Sequence, residues 1–151
     1  MTHSRRWLVV AGLGSLLCVR AAAAGPVDLD DLDVRNVRQV VEAQLRAMAD
    51  GDGDKAFFYA APAIRAQFGN GARFMAMVLG AYPMVVRPAA TVFYRATPAS
   101  DGQALQVVQL RDRQGRLWRA SYLLLRSVRP ADGPWRISGC VVVPDSPVNS
   151  T

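Results

Sequence analysis

Histidine and cysteine are almost missing from this chain: His3 is its one histidine, and Cys18 and Cys140 are its two cysteines, among 151 residues. Two of these three lie in a segment with the layout of a signal peptide. Ser4-Arg5-Arg6-Trp7-Leu8 puts a charged end ahead of the apolar run Trp7 to Val19, and Ala22-Ala23-Ala24 supplies small residues for cleavage before Gly25. Loss of residues 1 to 24 predicts a mature chain with no histidine and one cysteine. Such a chain has no Ser-His-Asp or Cys-His arrangement, no intramolecular disulfide and no zinc site, so no metal and no cofactor is expected. The apolar run is 13 residues, short of the about 20 needed to cross a bilayer as a helix. Membrane contact is therefore expected through the transient leader alone.

Arg5 and Arg6 are also the pair that a twin-arginine export signal requires, and Arg20 resembles the basic residue that steers such signals away from the general secretory route. A plain positive n-region fits the same residues. Cys18 follows bulky Leu17, where a lipoprotein signal has a small residue.

The leader takes Arg5, Arg6 and Arg20 from the 18 basic residues, leaving 15 against 12 acids, a net charge of +3. The remaining charge is unevenly placed. Gly25 to Asp54 holds eight acids and three arginines, whereas Lys55 to Thr151 holds twelve basic residues and four acids. Nucleic-acid binding needs a basic stripe interleaved with stacking aromatics and a cytoplasmic address, and the export layout argues against it. Asp50-Gly51-Asp52-Gly53-Asp54 invites a calcium reading, but its twelfth position falls on Ala61 where a bidentate carboxylate belongs. A solvated turn with helix caps accounts for it.

Along the chain, residues 25 to 32 form an acidic lead and residues 33 to 143 a single domain. Asp33 is the candidate N-cap of a helix in which Val34, Val37, Val41, Leu45 and Met48 recur at three- and four-residue steps. Short helices are expected over Lys55 to Ala61, Ala63 to Phe68 with Pro62 in its first turn, and Ala72 to Ala81. Pro83 and Pro88 bracket Met84 to Arg87, which predicts an extended path into a strand near Ala90 to Ala96. Gly102, Gly115 and Gly133 then separate three β-rich runs, Gln103 to Arg111, Arg116 to Ser127 and Trp135 to Val143, at hairpin spacing. The fold class is α+β, with N-terminal helices on a curved antiparallel sheet of about four strands. These strands carry apolar residues on both faces, so a second covering layer is expected, from another protein or a second copy. Residues 144 to 151 read as a disordered polar tail.

The order of motifs resembles the domain of unknown function 4864 family. The residues that carry the likeness are Val40 to Leu45, Ala61-Pro62-Ala63-Ile64-Arg65-Ala66-Gln67-Phe68-Gly69, Phe74 to Val78, Tyr82-Pro83 through Arg87-Pro88, Gly115 to Trp118, and Trp135-Arg136-Ile137-Ser138-Gly139-Cys140. They span nearly the whole mature chain in collinear order. The resemblance implies an exported protein, periplasmic in a Gram-negative bacterium, and its helices-then-sheet pattern looks like the NTF2-like (cystatin-like) cone. Such a cone implies a pocket between helices and concave sheet, near Tyr59, Phe74, Tyr82, Trp118, Tyr122 and Cys140, with Arg65 or Arg87 as anion contacts.

Core packing is the plainer explanation for each of those aromatics. Cys140 is a reactive thiol only if a cation such as Arg136 or Arg87 lowers its pKa, and otherwise a buried inert one. An isomerase or dehydratase of this fold needs a carboxylate or histidine in the pocket. After Lys55 the acids are Asp101, Asp112, Asp132 and Asp145, all in expected turns or the tail, and Glu42 turns inward only on a different helix phase. No catalytic residue is therefore assigned. The expectation is an exported, non-enzymatic domain that binds a small apolar or anionic ligand. A homodimerising interaction module and an isomerase- or dehydratase-like enzyme are the alternatives.

Overall fold

The computed structural model describes residues 28–127 and 133–146, with the backbone of Arg5 and Arg6. The signal peptide assigned to residues 1–24, apart from that dipeptide, and the end of the polar tail lie outside the described residues. Arg5–Arg6 forms a two-residue strand, β1, whose partners are Val142 and Val141 at the sheet edge.

The first helix, α1, runs Asp31–Ala49 and starts earlier than expected. Asp30 is its N-cap, accepting from the backbone N–H of Asp33 at 2.7 Å. That correction leaves the Asp33 carboxylate free for other work. The predicted helix phase holds: Val37, Val41, Leu45 and Met48 are buried. Their burial contributes about 8 kcal/mol before the cost of ordering the side chains. Gln44, on the same face, donates to the carbonyl of Ala56 at 3.2 Å and so ties α1 to the next helix.

Helices α2 (Gly53–Phe58), α3 (Pro62–Phe68), α4 (Gly71–Ala81) and α5 (Pro83–Val86) follow. The last corrects the extended path expected across Met84 to Arg87. Proline forbids the interior of a helix but suits its first turn, where no N–H is needed, and Pro83 starts a single turn that buries Val85 and Val86.

Five strands build an antiparallel sheet: β2 (Ala90–Phe93), β3 (Thr97–Ser100), β4 (Gln103–Arg111), β5 (Leu117–Arg126) and β6 (Trp135–Pro144). In space the order is β1-β6-β5-β4-β2, and β3 shares with β2 the outer edge of β4. The strand expected over Ala90 to Ala96 thus breaks after Phe93 and resumes at Thr97. Gln106 explains how the break is tolerated: its buried amide donates to the carbonyls of Tyr94 at 2.6 Å and Val107 at 3.1 Å. A bulge leaves Ser138 between Ile137 and Gly139 without a strand partner on β5, and its hydroxyl donates to the carbonyl of Leu123 at 3.1 Å.

Inward residues Ala104, Val108 and Leu110 of β4, Ala120, Tyr122 and Leu124 of β5, and Ile137 and Val142 of β6 meet the helices in one core. Among the described residues, no helix lies on the opposite face. Leu105, Val107, Leu123, Val141 and Val143 stand there half-buried.

Helices α2 and α4 approach at two glycines, closely enough that a methyl on Gly71 would lie 2.5 Å from the Asp54 carboxylate and 2.7 Å from its backbone nitrogen. Gly71→Ala should therefore lower stability by about 1–3 kcal/mol in urea unfolding. Gly80, in the same helix, has open space around it, and Gly80→Ala should raise stability by about 0.4–1 kcal/mol. Equal effects at the two positions would show that the close approach is not a constraint.

Candidate functional site

The six aromatic and thiol candidates do not converge on one cavity. Phe74, Tyr82, Tyr122 and Cys140 are core residues, none more than 4% exposed. Tyr122 and Cys140 are strand partners and hydrogen-bond across β5 and β6. Burial, with Cys140 adding to it, pushes the Tyr122 phenol well above its usual pKa. Of the cations considered for the thiol, Arg87 donates its Nε–H to the carbonyl of Ala49 at 2.8 Å, capping α1, and Arg136 lies over the Phe58 ring. Tyr59 and Trp118 line separate cavities at the rim of the sheet.

The first rim cavity, about 560 Å³, opens between α1 and the ends of β5 and β6, and Asp33, Asn36, Tyr59, Arg126 and Trp135 are among its walls. Asp33 forms an ion pair with Arg126 and accepts from the Trp135 indole N–H at 3.3 Å. The Arg126 guanidinium in turn lies 4.8 Å from the centre of the Trp135 ring. Sequence reasoning placed Asp33 at a helix cap and missed this cluster. The signal was present in the Asp30–Asp33 spacing, since one cap suffices and the second acid is then free. A carboxylate bound by both a guanidinium and an indole suits fastening α1 to the sheet. Glu42 is similarly engaged, with Arg38 Nε at 2.7 Å on the outer side of α1.

A second anchored carboxylate closes the β4–β5 hairpin. Asp112 accepts from the Trp118 indole at 3.0 Å and from the backbone N–H groups of Gln114 and Arg116, each at 2.9 Å, while Gly115 completes the turn at positive φ. Asp145, expected in a loose tail, is instead bound by Arg119 at 3.1 Å and by the Gln109 amide at 2.9 Å. Two charge-assisted contacts from the sheet overcome the disorder that composition alone suggests for this residue.

A third region, of about 400 Å³, lies between the start of α3 and the β5–β6 end, with Ala61, Pro62, Arg65, Leu125, Ser127 and Arg136 in its walls. Its floor is fixed by a short parallel bridge: Ala61 donates to the carbonyl of Ile137 at 2.7 Å, and Ile137 donates to Tyr59 at 2.9 Å. Arg136 stacks 4.6 Å from the Phe58 ring and Arg65 5.7 Å from the Phe57 ring. Burial, and then the charge of Arg65, lower the pKa of Arg136 from its ordinary value, with Tyr59 opposing. Among the described residues, no set of three His, Cys, Asp or Glu side chains is placed to hold a metal ion, and no helix is long and apolar enough to cross a membrane.

The molecule is an α+β domain with its helices packed on one side of an open antiparallel sheet. Residues 30–150 match the model of a family described as a domain of unknown function, DUF4864, and the chain belongs to that family. No curated protein and no solved structure matches it.

The Trp118 indole bond, followed by the backbone N–H groups and the Arg116 charge, outweighs burial and lowers the Asp112 pKa below its ordinary 3.8. The folded state then binds this proton less readily than the unfolded chain, so Asp112 adds stability at neutral pH that is lost as pH falls through the folded pKa. Unfolding of the protein and of Asp112→Asn, compared at pH 7 and pH 3, should show the variant clearly weaker at pH 7 and the gap narrowed at pH 3. A gap that does not change with pH would show that the carboxylate charge is not what holds the turn.

Proposed function

We propose that this domain works by recognition and not by catalysis, and that its uncovered sheet face docks a second copy of the chain. The observation that carries this is the half-buried apolar stripe of Leu105, Val107, Leu123, Val141 and Val143, which no described helix covers. Solvent does not reach the middle of the concave face, where Gln106, Tyr122 and Cys140 are at most 1% exposed. A ligand held inside a cone is therefore less well supported than an interaction through the outer face. Asp33, Glu42 and Asp145 are each committed to an arginine.

Register favours a copy of the same chain as the partner. Leu105 lies level with Leu123 and Gly139, and Val107 level with Ser121 and Val141. A two-fold axis along β5 lays β4 over β6 of the other copy, setting Leu105 into the gap at Gly139 and Val107 against Val141. The three strands offer about 450 Å² per copy, or about 900 Å² in total, from their spacing and length. That is the lower edge of specific interfaces, consistent with affinity of about micromolar rather than nanomolar strength. An NTF2-like cone is the architecture we propose for the helices-under-sheet arrangement. Export, directed by the leader-like residues 1–24, is the setting.

Light scattering of the domain at about 100 µM, well above such a dissociation constant, should give twice the monomer mass, and Val107→Asp should give a monomer with unchanged far-ultraviolet circular dichroism. A wild-type protein that stays monomeric at that concentration would remove the proposal.

A further inference from the structure

We propose that the cleft between α3 and the β5–β6 end binds a small oxyanion carried on an apolar or aromatic body, with the anion between Arg65 and Arg136 and the body against Phe58. The site is separate from the Leu105–Val107 stripe and stands whether or not the domain dimerises.

Five of the described arginines meet carboxylates: Arg38 with Glu42, Arg95 with Asp31, Arg116 with Asp112, Arg119 with Asp145 and Arg126 with Asp33. Arg65 and Arg136 share one cavity and have no carboxylate partner among the described residues. Two like charges brought together, one of them partly desolvated, destabilise each other unless a counter-charge joins them. The lowered pKa of Arg136 reflects that cost. No carboxylate of the described residues supplies the counter-charge, whereas a bound oxyanion would.

Preorganisation is also built in. Stacking on Phe57 and Phe58, consecutive residues at the end of α2, holds the two guanidiniums in place before anything binds. Arg136 spends one N–H on the Trp135 carbonyl at 3.1 Å, which orients its fork. The backbone wall opposite is bonded to β6 through Ala61 and Ile137. Arg126 reaches the same cavity, and its buried Nε–H has no acceptor. A planar fork beside a second one matches the paired oxygens of a carboxylate or phosphate. Phe58, 51% exposed, is a large apolar surface with a cation at its face, which suits the ligand body. The 400 Å³ volume is within the range of small-molecule sites.

Carboxylate and phosphate share this chemistry, and the choice of probe separates them. In two-dimensional NMR titrations of the full chain with benzoate, phenyl phosphate and neutral benzamide, the expected result is saturable shifts with at least one anion and none with benzamide. Whichever anion binds more tightly identifies the charged group. Added sodium chloride should weaken the binding. Arg65→Gln, an exposed replacement that leaves the core untouched, and Arg136→Gln should each weaken it about 10- to 100-fold, the usual worth of a charge-assisted bond. Arg65→Lys should fall between, because a point charge lacks the fork. Arg87→Gln, in a separate cavity, should leave affinity unchanged. Benzamide binding as well as the anions, binding indifferent to Arg65 and Arg136, or no shift with either anion at millimolar concentration would each overturn the proposal.

Discussion

All the helices of this fold pack against the same face of one sheet. That one-sided cover depends on the apolar stripe of α1, where Val37, Val41, Leu45 and Met48 lie against inward side chains of β4, β5 and β6. A buried helix face and a buried sheet face satisfy each other, and the chain has no further long helix among the described residues to cover the reverse side. Among the described residues, the filled side of the sheet and the side without helices have a single cause.

Polar residues within that arrangement serve chiefly to close it. Gln44 and Gln106 satisfy backbone carbonyls where α2 begins to diverge and where the edge strand breaks. Asp33 fastens the first turn of α1 to the far end of the sheet through Arg126 and Trp135. Among the described residues, Arg65 and Arg136 have no carboxylate partner at one end of the sheet, where both line the same cavity. The proposed recognition would use surfaces that the packing of the described residues leaves over: an apolar sheet face and a cationic rim.

Much of the framework was legible from period alone. The α1 stripe repeats at three and four residues, and Gln103 to Arg111 is a strand with the same ends in sequence and structure. Pro83 misled because a proline marks the start of a helix as well as the end of one, and only burial of Val85 and Val86 decides between them. Asp33 misled because several acids precede α1 and only geometry selects the cap. Convergence of Arg65 and Arg136 had no local signal at all. It arises from the bridge that lays Tyr59 to Ala61 alongside β6, a contact between distant segments.

Hydroxyl-radical footprinting of the full chain over a range of protein concentrations tests the division between filled interior and working exterior most directly. Phe74 and Tyr122 should stay protected throughout, Tyr94 should stay reactive, and Leu105 and Leu123 should become protected as concentration rises. Labelling of Tyr122 at the level of Tyr94, or an outer face equally reactive at every concentration, would contradict the account.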